Sequence, residues 1–156
     1  MKEIIWIYGT SASGKETFIK SLMKNRDLQK SLGLDSHSLA ISGESLKNLG
    51  NLSESRASIV DEVANLLKTK DAVIIKWQYG DTLLDSPNIL HDKFPHLKHT
   101  IIKLNVDQLE QVRRLKTKSW WHDEGKESEF TTKESLLVGE SIKKLNSGFN
   151  IVSYDW

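Results

Sequence analysis

The 156-residue chain has no cysteine, only two prolines and no long hydrophobic run. The lack of cysteine excludes disulfides and thiolate metal sites, and agrees with a reducing, cytoplasmic setting. The apolar stretch near the amino terminus, Ile4 to Tyr8 in MKEIIWIYGT, is too short for a signal-peptide core or a membrane span, so a soluble protein is expected. Charge of one sign is also missing: 22 lysines and arginines face 21 acids. No net field therefore draws the chain to nucleic acid or to an anionic membrane, and any anion it binds must be held by a local site. No linker, internal repeat or low-complexity segment breaks the sequence. One domain, residues 1–156, is expected.

Hydrophobic spacing alternates along this domain. Ile4 to Tyr8 is β-branched and aromatic, as expected of a strand buried on both faces, and Phe18, Ile19, Leu22 and Met23 follow at helical spacing. A short strand is expected at Ser38–Ser42. After it comes a helix capped by Asn51, with Ile59, Val60, Val63, Leu66 and Leu67 on one face, running to about Lys70. Asp71–Trp77 is a third strand. Ser86 and Pro87 begin a short helix that Pro95 stops. A fourth strand, Thr100–Val106, leads to a helix capped by Asp107 with Leu109, Val112 and Leu115 as its buried positions. Ser119–Phe130 is polar around Trp120 and Trp121 and is expected to be a loop, with Thr131 and Glu134 forming a capping box for the last helix. Gly148 ends that helix before the strand Phe149–Tyr154. Five strands alternating with helices predict a three-layer α/β/α domain with a five-stranded, mainly parallel sheet, its ligand at the carboxyl ends of the strands.

One stretch carries chemistry. Gly9-Thr10-Ser11-Ala12-Ser13-Gly14-Lys15-Glu16-Thr17 fits G-x-x-x-x-G-K between a strand and a helix. In this context glycine permits backbone angles that aim successive N–H groups at an anion, the helix adds its positive end, and Lys15 reaches the outer phosphates of a nucleotide. Thr17 offers a hydroxyl suited to the α-phosphate. Glu16 departs from the pattern, since a serine or threonine hydroxyl here ordinarily holds Mg2+ bridging the phosphates. Two accounts stand: Glu16 points outward on the first helical turn, or it stands in the metal site and alters metal-assisted chemistry.

This loop, the alternating strands and a later arginine pair resemble the P-loop kinases of nucleotides and small molecules: nucleoside monophosphate, shikimate and gluconate kinases. The resemblance spans most of the chain in element order, and is sharp only at Gly9–Thr17. It implies the P-loop NTPase fold, ATP and Mg2+ as cofactors, and phosphoryl transfer to a nucleotide or other small acceptor. It also implies that residues 119–131 act as a lid and that Arg113 or Arg114 neutralises charge in transfer, although adjacent residues diverge by about 100° on a helix, so only one faces the site easily. Trp120 could stack on a base or anchor the loop. Glu44 matches the place of an acid that activates the acceptor or helps hold the metal. Arg56 suits an anionic acceptor or a surface ion pair. Such enzymes commonly end the strand beside the first with an aspartate. Here that strand ends Lys76-Trp77-Gln78, with Asp81 beyond it as a substitute metal residue or a turn residue. No N-K-x-D motif is present, which disfavours a GTP switch. His91, His96 and His99 straddle Pro95 without a fixed helical register, and no metal is expected there. The alternative to an enzyme is a degenerate P-loop protein that binds a nucleotide without transferring phosphate.

Overall fold

The computed structural model describes residues 2–42, 52–78 and 86–156, those at 52–57 and 78 by backbone alone. In chain order the elements are β1 (Glu3–Gly9), α1 (Lys15–Lys24), α2 (Arg26–Ser31), β2 (Leu39–Ser42), α3 (Leu52–Leu66), β3 (Ala72–Gln78), α4 (Ser86–Lys93), β4 (Lys98–Asn105), α5 (Gln108–Lys116), α6 (Glu127–Lys143) and β5 (Asn150–Asp155). The strands form one sheet in the order β2-β3-β1-β4-β5. Every neighbouring pair is parallel.

Parallel strands covered on both faces need apolar side chains in both directions, and β1 supplies them. Ile4, Trp6 and Tyr8 join Ile59, Val63, Val73, Ile75, Trp77 and Val138 in one apolar layer. Ile5 and Ile7, pointing the other way, join Phe18, Leu22, Leu34, Ile74, Ile102 and Leu104 in the second. Tyr8 stacks on Trp77 at 3.9 Å between ring centroids, which ties β1 to β3 at the end that carries the loop.

Three expectations change. Leu109 is 79% exposed, and Gln111 and Leu115 are the buried residues of α5. Asp107 sets that register: its carboxylate accepts from the backbone N–H groups of Leu109 and Glu110, and residues four apart then share the inner face. The last helix begins at Glu127 rather than Thr131, so Thr131 and Glu134 lie within it instead of capping it. Glu127 and Glu129 in its first turn complement the helix dipole, which outweighs the polar character that reads as loop. Finally, the sequence pattern missed α2, a helix of one and a half turns whose cap is Asn25, accepting from the N–H groups of Asp27 and Leu28. The expected Asn51 cap lies outside the described residues.

Candidate functional site: the loop after the central strand

β1 lies at the centre of the sheet, and the chain leaves its carboxyl end through residues 10–14 into α1. At Gly9 a side chain would force the Ser13 side chain to shift. A Cβ there would stand 2.6 Å from Ser13 Oγ and 3.4 Å from the Leu104 carbonyl oxygen. Gly14 has φ +79°, the left-handed conformation that turns the chain into the helix and that side chains resist. Inside the turn, Ser13 N–H and Oγ both donate to the Thr10 carbonyl. Thr10 Oγ1 donates to Gln111 Oε1 at 2.8 Å, and Gln111 Nε2 donates to the Val106 carbonyl, so α5 braces the loop from one side.

Lys15 is buried, 5% exposed, and folds back over the loop. Its Nζ donates to the carbonyls of Thr10 at 2.7 Å and Gly9 at 3.1 Å. Burial pulls its pKa down from the usual lysine range to about 8, against the attraction of the Glu134 carboxylate. Glu134, from α6, is buried as well. Its carboxylate accepts from Ser11 Oγ at 2.8 Å and from Ser11 N–H at 3.3 Å. Burial raises its pKa, opposed by the Ser11 hydrogen bonds and by Lys15.

The arginine pair divides as helix geometry requires. Arg114 turns inward, donating from Nη1 to the Ser13 carbonyl at 3.1 Å and from Nε to Glu110 at 3.0 Å. Arg113 turns to solvent and forks onto Glu110. Those two guanidiniums hold the Glu110 carboxyl well below the usual carboxylate range. The indole of Trp156 lies beside Arg114 over the loop: a Cβ on Gly14 would sit 3.0 Å from Trp156 Nε1 and 3.2 Å from Arg114 Nη1.

Glu16 is exposed on the first turn of α1, and Lys76 Nζ from β3 donates to its Oε1 at 2.7 Å. Thr17 is exposed beside it, at the end of a cleft of about 650 Å³ that runs along α1 past Lys20, Lys24 and Arg26. Trp120 is half exposed and packs edge-on to Trp121 and tilted against Phe130, within the segment between α5 and α6. Glu44 and Asp81 lie outside the described residues, as does the side chain of Arg56.

Thus the structure brings Gly9–Lys15 and Arg114 together, with Glu16 and Thr17 at the rim. Four residues of this neighbourhood escaped the sequence reading of the site: Gln111, Glu134, Lys76 and Trp156. Only Lys76 carried a signal, as a cation within the otherwise apolar run AVIIKW.

No protein-family model and no curated protein matches this chain. Solved structures do. A deoxyadenosine kinase from M. mycoides with bound dATP superposes with a TM-score of 0.51 at 17% identity, over 99% of this chain and 91% of that one. A sugar kinase from Janibacter sp. gives 0.50 at 14% identity, over 99% and 85%. A shikimate kinase from Bacteroides thetaiotaomicron gives 0.50 at 14%, over 96% and 84%. The chain has the fold of the P-loop kinases.

Proposed function

We propose that this chain is a kinase-type phosphotransferase that binds the polyphosphate of ATP at residues 9–17 and passes the terminal phosphoryl group to a nucleotide or another small acceptor. The observation that carries this reading is the loop itself: a turn held by Gly9 and Gly14 at the carboxyl end of the central strand, with a buried lysine folded over it. Backbone N–H groups and the start of α1 favour anionic oxygens, and Lys15, swinging from the loop carbonyls, meets the outer phosphates. Both arginines pair with Glu110, but only Arg114 also reaches the loop, at the Ser13 carbonyl, which supports it as the arginine that balances charge developing in transfer. Thr17 takes the α-phosphate, and Glu44 or Asp81 orients the acceptor, with Arg56 available to an acidic one.

The fold implies magnesium, and the described residues do not fit it. Magnesium requires oxygen ligands at about 2.0–2.1 Å in near-octahedral geometry. The carboxylate at position 16 instead accepts from an ammonium at 2.7 Å. That ion pair favours the second reading, a protein that holds the nucleotide without transferring phosphate. A screen for ADP formation across nucleosides, nucleotides, sugars and hydroxy acids separates the two. Acceptor-dependent ADP supports the phosphotransferase, and saturable ATP binding without turnover on any acceptor supports the second reading.

A further inference from the structure

We infer that Lys76 takes the place of the divalent cation at this loop, so that the site binds the nucleotide polyphosphate free of metal. The inference rests on the nucleotide-binding reading above and adds the ionic form of the ligand. Its basis is the pairing of two substitutions that are separate in sequence and adjacent in space. Where the hydroxyl that ligates magnesium ordinarily stands, α1 carries Glu16, and from the neighbouring strand β3, Lys76 reaches it at 2.7 Å.

The placement of Lys76 suits this role. In the parallel register Lys76 lies opposite Ile7 of β1, two residues before the level of Gly9 and Gln78, so its side chain starts close to the carboxyl end of the sheet. It is four-fifths buried, whereas Glu16 is two-thirds exposed. The cation is therefore the enclosed member of the pair, and the carboxylate is the exposed one. An ammonium has three N–H donors, and Glu16 uses one, which leaves Lys76 able to bind phosphate oxygens as a point charge. Lys15 and Lys76 feel each other electrostatically, as do Lys15 and Glu16, so the three groups share one neighbourhood. A divalent ion placed among them would meet two ammonium groups and would have to take Glu16 from Lys76. A bare polyphosphate meets both cations directly, and Glu16 holds Lys76 in position until the ligand arrives.

Calorimetric titration with ATP, first in EDTA and then in excess magnesium, tests this. The inference predicts wild-type affinity in EDTA equal to or greater than that in magnesium, and for Lys76→Met a loss of about ten-fold in EDTA that magnesium largely restores once no ammonium competes for the Glu16 carboxylate. Wild-type binding strengthened about ten-fold or more by magnesium would overturn the inference while leaving nucleotide binding intact. Absence of wild-type binding in both conditions would overturn both readings. The wild-type ratio decides the matter even when thermal melting shows that a variant has not folded.

Discussion

Burial of Lys15 has two consequences of opposite sign. With its pKa near 8 in the folded protein and near 10.5 in the unfolded chain, the unfolded state holds more protons between those values. This group therefore penalises the folded state below pH 8, and the penalty fades as pH rises through that window. Phosphate binding has the reverse dependence, because it needs the charged ammonium and a bound anion raises its pKa again. ATP affinity is expected to fall between pH 7 and pH 9 and binding to take up a proton, which calorimetry in buffers of different ionisation enthalpy detects. Affinity that stays flat over that range would contradict the role given to Lys15. Gly14→Ala should destabilise by about 1–2 kcal/mol, since alanine has to adopt the left-handed conformation, as urea unfolding would report. At this scale the loop was legible because its glycines, lysine and spacing are local. Glu134 and Gln111 were not, because nothing in their own segments says that α5 and α6 deliver them to Thr10 and Ser11.

At the scale of the element, α5 connects the loop to its arginine. Asp107 caps it, Gln111 and Leu115 turn inward, and Arg114, three residues after Gln111, reaches the Ser13 carbonyl. Asp107→Ala should cost about 1 kcal/mol of stability through the lost cap. It should also weaken ATP binding, because Arg114 and Gln111 both depend on the register of this helix. Unfolding and titration of the same variant check the two effects together, and an unchanged affinity would separate α5 from the site. Most elements could be read from periodicity and caps: β1, α4 and the Asp107 cap fall where the residues suggest. The start of α6 was missed because charged helix formers such as KESEF resemble a solvated loop when no apolar stripe marks them. Leu109 was misplaced because leucine spacing alone does not tell which face of a half-exposed helix turns inward.

For the whole molecule, the strand order places β1 between β3 and β4, with the path from β3 to β4 crossing to its other side. In open parallel sheets the ligand crevice lies outside the carboxyl ends where the order reverses, which is where the loop emerges. Two apolar layers hold that arrangement, and Ile74, fully buried, belongs to the one beneath α1. Ile74→Ala should therefore destabilise by about 2–5 kcal/mol, lowering the unfolding midpoint while leaving the ligand-contacting groups in place. The sheet as a whole was foreseeable from alternating strands and helices. The pairing of Glu16 with Lys76 was not, because it joins residues sixty positions apart across two elements.

If the loop after β1 is an anion site, Lys15 supplies its charge. Titration of the wild-type protein and of Lys15→Ala with ATP tests that role most directly. Saturable one-site binding by the wild type is expected, with a loss of about ten-fold or more in the variant, as when a charged hydrogen-bond donor of about 1.5–3 kcal/mol is removed. Equal affinity in the two proteins would contradict it.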